Sequence, residues 1–388
     1  MTKPVLNGSI PLSDAVAFRR YPAVDVLRGI TVALMIVVNS PGDGALSYGP
    51  LKHAVWHGFT ITDLVFPTFL FVVGNAMSFN LQKFEGGAGK LFLAKVVRRT
   101  LVIFFIGWFL NAFPFFRYTE SGSYEMIDIT AVRLVGVLQR IALCYFIAAI
   151  IIRYQGIKGA VLYCIIALLG YWQVLYFFGD QPDPYLLETN AVRKLDIFLI
   201  GTKNIYRGEG LPFDPEGLLS TIPAVVNVIG GYFVGLWIQR NHATTQALLK
   251  LISVGAALVA LALLWDIIFP INKKIWTSPY VLLTVGLGIM MFGVLVFIIE
   301  VSNIRRWTYF FDIFGKNPLT LYVISYLIIK LLYVIHAEGT TLKTWIYSHA
   351  FLSWSDPKKA SLLFAISIML IVWLVGYWMH RKRIYLKV

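Results

Sequence analysis

The stretch Leu51–Phe79, LKHAVWHGFTITDLVFPTFLFVVGNAMSF, decides how the chain is read. Two histidines, His53 and His57, stand four residues apart, and Asp63 follows six further on. An uncharged apolar run then begins at Leu64. About 20 apolar residues cross the hydrocarbon core of a bilayer. The stretch therefore reads as a membrane helix with titratable groups gathered at one mouth, which a plain anchor does not need.

The same pattern recurs along the chain. Of 388 residues, 58% are hydrophobic and 14% charged, with a mean hydropathy of +0.72. A soluble domain carries about 25% charged residues, so the main solvent here is lipid. Hydropathy predicts an all-α, polytopic bundle of about ten spans near residues 24–39, 60–82, 99–113, 134–152, 159–178, 217–238, 251–268, 279–300, 307–335 and 360–380. The ninth holds FDIFGKNPLT and is expected to break near Gly315 to Pro318, because proline interrupts the helical ladder. Residues 1–23 form a polar lead without a signal-peptide core, and residues 381–388 form a basic tail. The domain between them covers 24–380.

The net charge of +14 invites a nucleic-acid reading, but its distribution argues against one. With both termini placed in the cytoplasm, Lys and Arg make up about 25% of the inner segments and about 11% of the outer ones, as the positive-inside rule requires. The longer outer loops fall near 40–59, 114–133, 179–216 and 336–360. Loop 179–216 mixes aromatics, acids and bases, which suits a substrate rim or a plain solvated connector. No internal repeat supports an inverted-repeat transporter. Cys144 and Cys164 both lie in apolar runs and provide neither a disulfide framework nor a zinc pattern.

Ionisable groups in or beside membrane spans are costly and hence candidates for function. Asp25 and Arg28, three apart in VDVLRG, suit an ion pair on one face of the first helix. Asn39 ends that helix. Arg98 and Arg99 suit inner-surface anchoring or, through their guanidinium forks, a phosphate. Gln139 and Arg140 sit just inside the fourth span, and Arg140 there needs a partner or a ligand. Lys316 and Asn317 lie at the break in the ninth. The i, i+4 histidines could share a helix face as zinc ligands, yet no cysteine or HExxH-type glutamate completes a set, so no metal is expected. One imidazole acting as proton acceptor or acyl carrier needs only an orienting partner, for which Asp63 or Asn39 would serve.

These residues also carry a resemblance. DVLRGITVALMIVVN, HAVWHGFTITDLVFPTFLFVVG, GVLQR, DPEGLLSTIPAVVN, PINKKIWTSPYVLLT and GKNPLTLYV follow one another over about 300 residues. In this they resemble the heparan-α-glucosaminide N-acetyltransferase family of the transmembrane acyltransferase superfamily. The resemblance implies a membrane enzyme, commonly a homodimer, that moves acetyl from cytosolic acetyl-CoA to an amino sugar across the bilayer. It places the family's catalytic histidine at His53, its helix-ending asparagine at Asn39, and its arginines at Arg99 and Arg140. His57 departs from the family's usual asparagine. A form without the long lumenal N-terminal segment and extra span of the lysosomal enzymes, a minimal bacterial one in the inner membrane, is expected.

On this basis His53, Asn39 and Asp63 are the expected catalytic set. Arg98, Arg99, Gln139, Arg140, Lys316 and Asn317 are expected to hold acetyl-CoA, with Trp56 and His57 rimming the acceptor. The alternative is a carrier or flippase for a sugar or lipid-linked intermediate, favoured by the basic groups and the broken helix. Donor-dependent acetylation separates the two.

Overall fold

The computed structural model describes residues 21–81, 89–119 and 122–386. Residues 1–20 of the expected polar lead and the last two of the basic tail lie outside the described residues. Twelve α-helices are described: α1 Pro22–Asn39, α2 Ile61–Asn80, α3 Gly89–Ala112, α4 Val137–Phe178, α5 Ala191–Ile200, α6 Thr221–Asn241, α7 Thr245–Asp266, α8 Ser278–Val296, α9 Thr308–Lys316, α10 Pro318–Val334, α11 Leu342–Ile346 and α12 Pro357–Arg381. Two short antiparallel hairpins, β1–β2 (Phe116–Tyr118 with Tyr124–Met126) and β3–β4 (His336–Ala337 with Thr340–Thr341), qualify the all-α expectation.

Among the described residues, seven helices (α1, α2, α4, α6, α7, α8 and α12) are long and apolar enough to cross a membrane, and the bent pair α9–α10 makes up to eight. The expected count of about ten treated residues 134–152 and 159–178 as separate spans. Here they form one 42-residue element, folded at Gly156, whose φ of 65° leaves the helical region. Glycine carries no Cβ to oppose that geometry. The α3 helix is apolar in its second half but carries Lys90, Lys95, Arg98 and Arg99 in its first. The expected break in the ninth span is present, with an 85° bend between α9 and α10 at Asn317.

Between helices in lipid there is little hydrophobic drive, so small residues that let backbones meet take over. The α2–α6 seam shows this. A Cβ on Gly74 would fall on the carbonyl of Val228, and one on Gly231 on the carbonyl of Phe71. At one end of the bundle the connections 40–60, 113–136, 179–220, 267–277 and 335–356 come together. Bonds that tie them include Gly58 N to Ile271 O at 2.8 Å, Trp56 Nε1 to Tyr185 O at 2.9 Å, Leu134 N to Asn204 O at 3.1 Å and Tyr124 OH to Val334 O at 3.2 Å. The outer loop expected at 179–216 contains α5, so it is an ordered cap over the helix ends.

Candidate active site

Asp63 lies in the first turn of α2 and reaches back to its start. Its Oδ2 accepts from the amides of Thr60 at 3.0 Å and Ala54 at 3.1 Å and from Thr60 Oγ1 at 3.0 Å. An acid here satisfies amides that the helix leaves unpaired and meets the positive end of its dipole. The other oxygen, Oδ1, stands 2.6 Å from His53 Nδ1. A carboxylate only accepts, so Nδ1 carries the proton and Nε2 keeps its lone pair. Asp63 is 1% exposed whereas the His53 side chain is 43% exposed. The ring thus stands at the rim on a buried support, and Tyr280 OH braces the Asp63 carbonyl from below at 2.6 Å.

Lys273 completes this group. Its Nζ lies 3.0 Å from His53 Nδ1, 3.1 Å from Nε2 and 3.9 Å from Asp63 Oδ1. Asn272 aims it: Asn272 Oδ1 accepts from the amides of Lys274 and Ile275, turning the backbone sharply between α7 and α8. Burial lowers the Lys273 pKa, and Glu216 and Asp63 pull against that shift. Glu216 belongs to a neighbouring cluster in which Arg133 binds Asp214 through Nε at 2.8 Å and through Nη2 at 2.6 Å, and Glu216 at 2.6 Å. Burial opposes the Glu216 charge, but Arg133, Arg140 and Lys273 outweigh it and hold the carboxyl below its usual range.

Beneath the loops, Arg140 is fully buried. Its Nη2 donates to Gly217 O at 3.0 Å and to Ser220 Oγ, and its guanidinium lies 4.8 Å from the Trp276 ring centroid. Its Nε and Nη1, and Nε2 of the equally buried Gln139, have no hydrogen-bond partner among the described residues. Asp196 of α5 grips the same turn from the far side, its Oδ1 accepting from the amides of Leu218 at 2.9 Å and Leu219 at 3.4 Å. Burial raises its pKa to about 6, against those amides and Arg140.

A cavity of about 720 Å³ opens from the opposite end of the bundle. Its charged lining is Asp25, Arg28, Arg99 and Lys316. Arg28 Nη1 holds Asp25 at 3.2 Å and the Gly315 carbonyl at 3.2 Å, while Arg99 lies over the Tyr145 ring at 4.6 Å. Along α2 the lining runs from Asn80 to Phe69, and six residues at 1.5 Å each leave about 9 Å from Phe69 to Asp63. Ile141, next to Arg140 in sequence, also lines it.

The residues expected from the sequence therefore divide. His53 and Asp63 are in contact. Arg99 and Lys316 share the cavity, whereas Arg98 is exposed and does not line it. Asn317 is taken up by the chain's end, donating to Ile384 O at 3.0 Å and accepting from Leu386 N at 3.0 Å. Asn39 is exposed at the end of α1 and, among the described residues, has no hydrogen bond to His53 or Asp63. His57 stands apart from the His53 pair, 3.3 Å from Asn272 Nδ2. Partial burial lowers its pKa against the pull of Asp183 and Asp266. Trp56 packs on Phe213 at 5.6 Å and donates to loop 179–216. Sequence reasoning gave no role to Lys273, Arg133, Asp214 or Glu216. All four lie in connections, where no helical spacing marks them; the signal available was charge directly abutting an apolar run, in INKKIW and FDPEGLL.

These features define an integral membrane protein with an oriented imidazole at a polar mouth and a cationic cavity behind it, the class that suits proton-coupled group transfer. The chain belongs to the family described as heparan-alpha-glucosaminide N-acetyltransferase, catalytic, whose model matches residues 20–264. It is 26% identical over 364 residues to heparan-alpha-glucosaminide N-acetyltransferase of Homo sapiens, covering 78% of this chain and 52% of that protein. The Mus musculus protein of the same name is 25% identical over 357 residues, covering 78% and 53%. The chain thus spans about half the length of the curated relatives it matches.

Proposed function

We propose that the protein transfers acetyl from acetyl-CoA to the amine of an amino sugar, with His53 as the proton acceptor. The observation that carries this reading is the Asp63–His53 pair, which fixes the proton on Nδ1 and leaves Nε2 as a base at the mouth of a bundle that has a cationic cavity behind it. In the ten-span topology that supports it, α3 is a span and α4 counts as two, divided at Gly156. Both termini and the cavity mouth then face the cytoplasm, and domain 24–380 forms the catalytic unit.

Acetyl-CoA enters tail-first. Its phosphates meet Arg99 and Lys316, whose positive charge suits them, and the pantetheine arm climbs between α2, α3 and α4. Behind the cavity lining, next to Ile141, the unpaired donors of Gln139 and Arg140 suit the amides and thioester carbonyl of the arm. The sugar amine approaches from the loop end and displaces Lys273 from Nε2. The amine nitrogen attacks the thioester carbon, and His53 Nε2 takes the amine proton. The C–S bond then breaks, and the departing CoA thiolate receives that proton from His53. Lys273, and Asn39 at the rim, stabilise the developing oxyanion. A relay in which His53 itself carries the acetyl uses the same residues.

Purified protein with labelled acetyl-CoA and a panel of amines and amino sugars tests the reading. Wild type is expected to label an amino sugar, and His53→Ala, folded by size-exclusion chromatography, to lose about 10²- to 10⁴-fold. Near wild-type transfer by that variant would remove His53 from the mechanism. Sugar movement without acetylation would favour the carrier instead.

A further inference from the structure

A second cavity, of about 370 Å³, lies apart from both sites, between the second half of α4 and α6, α7 and α8. Its walls are apolar, with Phe233, Val254, Leu258 and Val285 among them, and Lys250 is its one charged lining residue. It is flanked by α4 and α7, the least enclosed of the candidate spans, with 22% and 28% of their most apolar windows buried. A groove between two such helices opens sideways into hydrocarbon. Along α6 its lining runs from Val226 to Trp237, eleven residues or about 17 Å. That is close to one leaflet of a hydrocarbon core about 30 Å thick.

The charge at this end is mainly basic: the carboxylate on the continuation of α8, Glu300, is 2% exposed and paired with Arg305 at 3.6 Å. Lys250 is exposed in the second turn of α7, and Trp237 Nε1 ties the end of α6 to Ala247 O beside it at 3.4 Å. Lys158 stands just after the fold of α4 at Gly156, and Arg240 in the last turn of α6. The helices α4, α6 and α8 contain no carboxylate, and the one in α7, Asp266, is at the far end. Such a rim suits a phosphate that has only hydrocarbon behind it. We infer that this groove holds one acyl chain of an anionic phospholipid, with the lipid phosphate on Lys250. The site is distinct from the donor cavity and the acceptor mouth, and it stands whether or not the transfer reaction does.

The bound chain would also support the site's frame. Val226 and Val285 line the groove, and their sequence neighbours Asn227 and Thr284 are hydrogen bonded at 2.9 Å. Asn227 Oδ1 accepts from Trp276 Nε1 at 3.1 Å, and Trp276 is the ring on which Arg140 lies.

Native mass spectrometry of the full chain, delipidated and then exposed to phosphatidylglycerol or phosphatidylcholine with identical chains, tests the inference. Wild type is expected to retain phosphatidylglycerol about fivefold better, the worth of one lysine near a membrane surface. Lys250→Glu should abolish that preference. Val254→Trp, placed at a position 53% exposed, should fill the groove and reduce retention of both lipids. Equal retention by wild type, or a preference that survives Lys250→Glu, would overturn the assignment. So would a Val254→Trp protein that keeps its lipid but loses a dimer, which would make the groove a seat for a second copy.

Discussion

The two ends of the bundle hold charge in opposite ways. At the loop end the charges around the imidazole lean on one another: His53 on Asp63, Lys273 on both, and Glu216 and Asp214 on Arg133. The partners come from four separate connections and the first turn of α2, so no single segment could build the site alone. At the opposite end Arg28 holds Asp25, but Arg99 and Lys316 sit on separate helices around open space, and among the described residues Arg99 Nε has no hydrogen-bond partner. A saturated network fixes geometry, whereas loosely held cations fix only a sign of potential. The first arrangement suits chemistry and the second suits the holding of an anion.

That contrast predicts different kinds of damage. After His53→Ala, the largest effect should follow Lys273→Ala, which removes the charge beside the imidazole. Transfer is expected to fall about 10²- to 10³-fold in kcat with little change in the KM for donor. A change confined to KM would break the distinction between the ends. Arg99→Ala or Lys316→Ala should do the reverse, raising the KM for acetyl-CoA about tenfold while kcat at saturating donor stays near wild type. Steady-state kinetics at several salt concentrations would sharpen this, because an exposed cation–phosphate contact weakens as ionic strength rises.

The smallest expected effect concerns pH at the loop end. Burial holds the Asp196 pKa at about 6, above its ordinary 3.8. The native state therefore favours the protonated acid, and stability falls as pH rises from about 4 through 6 before levelling off. Asp196→Asn keeps an acceptor for the Leu218 and Leu219 amides without that titration. Its melting temperature relative to wild type should therefore rise between pH 5 and pH 7.5. A constant difference across that range would show that the Asp196 charge is not disfavoured.

How far the sequence could be read follows the same division. Helices declare themselves through long apolar runs, so most of the spans, the break at Asn317 and the helix-borne candidates Arg99, Arg140 and Lys316 were visible, although about ten spans were expected and seven or eight are found among the described residues. His53 and Asp63 were visible because ten residues of one connection bring them together. The contacts between Arg133 and Glu216, 83 residues apart, and between His53 and Lys273, 220 apart, depend on how loops fold over helix ends, which no local spacing encodes. The kink at Gly156 was hidden for another reason: a lone glycine in an apolar run looks like any other packing glycine until its φ is known.

Asp63 has a consequence of its own. The same carboxylate closes the first turn of α2 and orients the imidazole. Any warming that frays that turn also releases the ring. Heat should therefore silence the proposed transfer at a temperature below that at which the helices melt, and cooling should restore it.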